Sequence, residues 1–137
     1  MTSERTLKLI LRVMGSSSLL ALVFIGAPHS WMESIHESLG MGRLPDGPVV
    51  GYLARSTSAF YAMVGGLFWV VSFDLGRHRR VLIYLGAAIT CLGVVLFLVD
   101  RAEGLPPLWA IWEGPFVFAF GIVLLLLSRR LEYRRTV

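Results

Sequence analysis

Residues 81–99 read VLIYLGAAITCLGVVLFLV, nineteen consecutive residues without a charge. A bilayer core about 30 Å thick is crossed by roughly 20 apolar residues in helix. Lipid offers no partner for unpaired backbone groups, so a run of this length is helical. This stretch decides the fold, and three others resemble it on either side. They are residues 7–27, with Lys8 and Arg12 in the opening turns; residues 49–73, which contain Arg55; and residues 108–128, which contain Glu113 and Pro115. Pro28 closes the first, and Pro45, Gly47 and Pro48 precede the second. The connectors 74–80 and 100–107 are rich in charge, glycine and proline.

The composition agrees. Of 137 residues, 55% are apolar and 16% charged, where a soluble domain carries about 25% charged residues. That leaves too little polar surface to cover a small soluble globule. The length suits one domain covering residues 1–137. The lone cysteine, Cys91, excludes an intrachain disulfide and any paired-cysteine redox or zinc motif. The net charge of +4 does not point to nucleic acid here, because in a membrane protein the placement of basic residues sets topology. The first span could be a secretory signal, with a basic start and an apolar run ending in Gly26-Ala27. Pro28 would then follow the cut, a poor position for cleavage, so it reads as an uncleaved span.

Arg5, Lys8, Arg12, Arg77, Arg79, Arg80, Arg129, Arg130, Arg134 and Arg135 fall on one side of a four-span thread; only Arg43, Arg55 and Arg101 fall on the other. The positive-inside rule then expects both termini in the cytoplasm. Trp31, Tyr52, Trp109 and Trp112 are expected at the outer interface, and Trp69, Tyr84 and Tyr133 nearer the inner one.

In lipid, helices associate where small residues let backbones approach. Ala54, Ser58, Ala62 and Gly66 form such a stripe on the second span. Gly86, Thr90 and Gly93 offer one on the third, and Ser17 and Ala21 on the first. Short connectors favour antiparallel neighbours. The expected fold is all-α: an antiparallel four-helix transmembrane bundle. The longer segment between spans one and two predicts a short amphipathic helix at about residues 30–40. Its N-cap is expected at Ser30, with Glu33 completing a capping box, and Gly40 and Gly42 as stops. Trp31, Ile35 and Leu39 form its apolar edge, suited to lying on the outer membrane surface.

The polar residues that need an account cluster at one end of the thread. Arg55 and Glu113 lie at matching depth, roughly 9–10 Å from the start of their spans at about 1.5 Å per residue. A charge in the membrane is costly unless paired. An Arg55–Glu113 pair is therefore expected, with Asp100 near it and Ser58 on the same face as Arg55. His29, Glu33 and His36 share a stripe at spacings that can hold a metal ion. No zinc motif matches, and solvated or interfacial polar residues are the expectation. Together Arg55, Glu113, Asp100, His29, Glu33, His36 and Ser58 define a candidate ligand-binding mouth on the outer side. No motif calls for a cofactor.

Several four-span functions lack their required residues here. Residues 13–27 have no carboxylate of the kind small multidrug exporters use, the cysteines of disulfide-generating enzymes are absent, and no histidine lies within a span to ligate haem. Tyr52-Leu-Ala-Arg-Ser-Thr-Ser-Ala-Phe-Tyr-Ala-Met-Val-Gly-Gly-Leu67 and Trp112-Glu-Gly-Pro-Phe-Val117 resemble small bacterial inner-membrane proteins of the DoxX-like and related uncharacterised group. The resemblance implies a bacterial four-helix integral membrane protein and no particular activity. The chain departs from that group in the segment 30–39 and in having no thiol pair. The expected function is a binding or accessory module that holds a lipid, a quinone-like molecule or a partner helix at its outer mouth. Two alternatives stand beside it. One is an enzyme on a lipid-soluble substrate, with Glu113 as acid/base and Arg55 as anion holder. The other is an oligomeric subunit of a membrane complex, associating through the 54–66 stripe.

Overall fold

Each long apolar run ends where a helix stop or cap residue stands. The computed structural model describes residues 3–131, all-helical with turns between the helices. Helix α1 is Ser3–Leu19, α2 Leu22–Ile25, α3 His29–Ser38, α4 Pro48–Phe73, α5 Arg79–Ala102 and α6 Pro107–Arg129. Four segments are long and apolar enough to cross a membrane: Ser3–Ile25, which joins α1 and α2, then α4, α5 and α6. Tyr133 of the aromatic assignment, and Arg134 and Arg135 of the charge count, lie outside the described residues.

The first span passes through a tighter turn at Leu20 and Ala21. There Leu20 N–H is shared between the Ser16 and Ser17 carbonyls, and Ala21, Val23 and Phe24 bond three residues back. These 3₁₀-type bonds keep the backbone satisfied where regular helix lapses, as lipid requires.

The start of α3 differs from the expected capping box. Pro28, extended at φ −60° and ψ 150°, is the N-cap, and no side chain caps the helix. Proline sets φ in advance and frees its carbonyl, which accepts from Trp31 and Met32. Ser30 is thereby inside the helix, where its carbonyl accepts from Ser34 Oγ at 2.9 Å. The end follows expectation. Gly40 N–H donates to Glu37 and Met41 N–H to His36, with Gly40 at φ +78°, a Schellman closure that glycine permits.

The chain forms two compact units, Leu11–Val70 and Met1–Ile10 with Val71–Val137. In the first, α1 and α4 run antiparallel and touch through backbone. A Cβ added at Gly65 would sit 2.7 Å from the Gly15 carbonyl oxygen, and one at Gly15 would sit 2.9 Å from that of Gly65. Trp69 flanks this crossing, donating its indole N–H to Ser16 Oγ at 3.3 Å, with the Arg12 guanidinium 5.0 Å from its ring centre. The close approach falls at Gly65 rather than Gly66, whose added Cβ would meet nothing within 4 Å. The reason is helical phase. At about 100° per residue, the step from Ala54 to Gly66 overshoots three turns by about 120°, whereas Gly65 overshoots by about 20°. Ala62, on the near side of that drift, is buried.

In the second unit, α5 and α6 pack antiparallel along their length with glycines alternating between helices. Gly86 faces Leu125, Gly121 faces Thr90, Gly93 faces Phe118, and Gly114 faces Phe97. The steps are four, three and four residues on each helix, the spacing that keeps a left-handed helix seam in register. An added Cβ at any of these glycines would lie 2.3–2.7 Å from a backbone or Cβ atom opposite. Large residues thus fill holes made by glycine, the kind of close packing through which membrane-spanning helices associate. Thr90 and Ser128 keep their hydroxyls satisfied by donating four residues back, to Gly86 and Leu124. Helix α6 starts at Pro107 behind the N-cap Pro106 and runs through Pro115, so Pro115 does not initiate it.

Candidate functional site

The residues singled out by sequence fall in both units. Asp100 and Glu113 belong to the α5–α6 hairpin; Arg55, Ser58, His29, Glu33 and His36 belong to Leu11–Val70.

The hairpin end is built from the α5 C-terminus upward. Glu103 is the C-cap, Gly104 takes φ +67°, and Leu105 N–H donates to the Asp100 carbonyl at 3.0 Å. This left-handed closure turns the chain within four residues into Pro106 and α6. It holds the last turn of α5 against the first turns of α6, and Asp100 is consequently only 3% exposed. Its Oδ2 is buried and has no hydrogen-bond partner. A buried carboxylate oxygen without a donor carries an uncompensated desolvation cost. Beside it lies a cavity of about 190 Å³, lined by Asp100, Arg101, Gly104, Leu105, Pro107, Ala110 and Ile111. Arg101 lines the same cavity, and its guanidinium lies 5.0 Å from the ring centre of Phe97. Adjacent residues on a helix do not face each other, which explains why Asp100 and Arg101 share a wall and form no ion pair.

Glu113 is half-buried on α6 and accepts a hydrogen bond from the Trp109 indole N–H one turn earlier. Asp100 lies within electrostatic reach of it. The hairpin end therefore concentrates two carboxylates, one bonded and one with a buried oxygen that has no donor. Below it, toward the middle of the hairpin, Gly93, Val94, Phe97, Gly114, Pro115 and Phe118 line an apolar groove of about 260 Å³.

Arg55 is accounted for inside its own unit. Its Nε donates to the Ile25 carbonyl at 3.1 Å and its Nη2 to the Ala27 carbonyl at 3.2 Å. These carbonyls end the first span, where no further helical N–H can reach them, and Pro28 supplies none. The guanidinium is thus a C-terminal cap whose charge also complements the helix dipole. Gly51 makes room: a Cβ there would sit 2.9 Å from Arg55 Nη1. Ser58 donates to the Ala54 carbonyl at 2.8 Å.

On α3, the histidines point to separate partners. His29 Nε2 lies 3.3 Å from Asp46 Oδ1, and His36 Nδ1 donates to the Gly42 carbonyl at 2.8 Å. Glu33 is half-buried, and Glu37 pairs loosely with Arg43 at 3.9 Å. Among the described residues no three His, Cys, Asp or Glu side chains gather as metal ligands. Trp31, Ile35 and Leu39 are all exposed.

Two features escape sequence reading. The cavity beside Asp100 depends on the Gly104 closure, and the groove on glycines of α6 that had no visible partner. Comparison with protein-family models, curated protein sequences and solved structures finds no match.

Proposed function

We propose that this chain is a binding or accessory module of the bacterial cytoplasmic membrane, with both termini cytoplasmic, that holds a lipid-like ligand at its extracytoplasmic mouth. The orientation rests on the ten-to-three split of basic residues. The exposed edge of Trp31, Ile35 and Leu39 supports α3 as a helix lying in the outer membrane surface. Kinship with the DoxX-like group belongs to the same proposal and rests on residues 52–67 and 112–117.

The observation that carries the binding role is Asp100. A carboxylate 3% exposed on a residue that lines a cavity, its buried Oδ2 without a donor, is expensive to fold unless something neutralises it. Folding stability alone would favour an asparagine or an apolar residue at this position. A ligand with a cationic donor headgroup, entering from the interface and seated in that cavity beside Asp100, offsets this cost.

The test is native mass spectrometry of the full chain, extracted from membranes in mild detergent. A small-molecule adduct is expected on the wild type, with lower occupancy in Asp100→Ala. A clean apo mass under conditions that preserve lipid adducts on control proteins would refute the role. Reporter fusions at residue 137 and in the 103–106 turn test the orientation. Cytoplasmic reporters active at the terminus and inactive at the turn are expected.

A further inference from the structure

We infer that the α5–α6 hairpin end is a binding site for a phospholipid whose zwitterionic headgroup ends in a primary ammonium, as in phosphatidylethanolamine. The inference rests on the binding role proposed above and specifies its ligand.

Three observations define the headgroup. Asp100 lines the cavity and carries a buried carboxylate whose Oδ2 has no donor, so a cation that also donates is favoured because it neutralises that charge. Glu113 adds a second carboxylate at the same hairpin end. Arg101 lines the same cavity with the opposite charge, which suits a ligand carrying an anion beside its cation. Guanidinium is the side chain best matched to phosphate oxygens. Ammonium against Asp100 and phosphate against Arg101 reproduce that order of charges.

The cavity wall separates this headgroup from its relatives. A quaternary ammonium has no N–H to give a carboxylate, and proteins hold it against aromatic faces; none of the seven lining residues is aromatic. An anionic headgroup without an amine would place negative charge against Asp100. The volume of about 190 Å³ is below the roughly 300 Å³ of a drug-sized site and suits a headgroup alone.

The groove supplies the rest of the ligand. Gly93, Phe97 and Phe118 line a strictly apolar channel on the same hairpin, and Phe97 joins the two regions because Arg101 lies over its ring. Helix α5 has 24 residues, about 36 Å at 1.5 Å each, so its last turn reaches past a core of about 30 Å into the headgroup layer. Headgroup cavity and chain groove therefore stand at the depths a phospholipid presents them.

The experiment titrates the full chain in mixed micelles with dioleoyl phosphatidylethanolamine, dioleoyl phosphatidylcholine or dioleoyl phosphatidylglycerol, reading bound lipid by native mass spectrometry. Phosphatidylethanolamine is expected to bind about tenfold or more tightly than the other two, the size of one hydrogen bond to a charged group. Asp100→Asn removes that preference, and Arg101→Gln weakens all three lipids. Circular dichroism melts of each variant separate lost binding from lost fold, and the wild-type preference needs no variant. Soluble O-phosphoethanolamine is expected to compete poorly, because it has no chain for the groove. If it displaces the lipid at equal concentration, the lipid source is overturned. Equal binding of the three lipids overturns the headgroup assignment and leaves the binding role standing. No bound molecule of any kind overturns both.

Discussion

Replacing Gly93 by alanine tests whether glycine-made holes hold α5 to α6. The new Cβ would lie 2.3 Å from Phe118 N and 2.6 Å from its Cα. Both are backbone, so no side-chain rotation relieves the clash, and the helices must part by about 1 Å to reach ordinary contact. A gap of that size forfeits a quarter to a half of each dispersion contact. With roughly 30 atom pairs along the affected seam at about 0.15 kcal/mol each, the loss is about 1–2 kcal/mol. Overpacking strain adds about 1–3 kcal/mol, and the helix preference for alanine returns up to about 1 kcal/mol. The net expectation is about 1–4 kcal/mol of destabilisation. Gly66→Ala is the matched control: nothing lies within 4 Å of its added Cβ, so only the propensity gain of up to about 1 kcal/mol applies. Reversible unfolding in mixed micelles, followed by far-ultraviolet circular dichroism, measures both. Equal effects of the two substitutions would refute the packing argument. A loss at Gly66 that shrinks with dilution would instead reveal a subunit contact on that face.

Other substitutions probe single contacts. Arg55→Met removes the cap on the Ile25 and Ala27 carbonyls and should destabilise by about 1–2 kcal/mol, read in the same unfolding assay, with Arg55→Lys recovering part of it. Gly104→Val, at φ +67°, should cost about 1–2 kcal/mol and lower lipid binding, since that residue closes the hairpin over Asp100. Trp109→Phe leaves Glu113 without its indole donor and should cost about 1–3 kcal/mol, with Trp109→His as the variant that restores a donor. Cys91 is exposed near the middle of α5. In vesicles it should resist a charged maleimide and react with an apolar one, and equal reaction would refute the span.

The spans were legible because lipid imposes one requirement on every residue at once, that backbone bonds close within the segment. Residues 81–99 meet it so plainly that α5 exceeds them by only a few residues at each end. The face Gly86, Thr90, Gly93 was legible too, since small residues at spacings of four and three serve close packing. Their partners were harder. Gly114 and Gly121 become meaningful only opposite Phe97 and Thr90, a pairing fixed by the length of the turn. Along the 54–66 stripe the backbone contact falls one residue off, at Gly65, because counting by fours drifts around the helix. At α3, Pro28 took the capping role from Ser30 because a fixed backbone needs no side-chain bond.

Arg55 and Asp100 show which half of a charged site a sequence exposes. Both stood out, because a charge near a membrane span demands an account. Arg55 is satisfied by two backbone carbonyls, and every residue carries a carbonyl, so nothing in residue type marks Ile25 or Ala27 as its partners. Only the end of a helix, where carbonyls are orphaned, makes them available. Asp100 is the converse case. It sits in the last turn of a helix, where a negative charge opposes the dipole, it is buried, and its Oδ2 lacks a donor. Each of these raises the cost of keeping an aspartate there, and none is offset by a contact among the described residues. The same arithmetic that makes Arg55 a structural cap therefore marks Asp100 as a buried charge whose cost the described residues leave uncompensated.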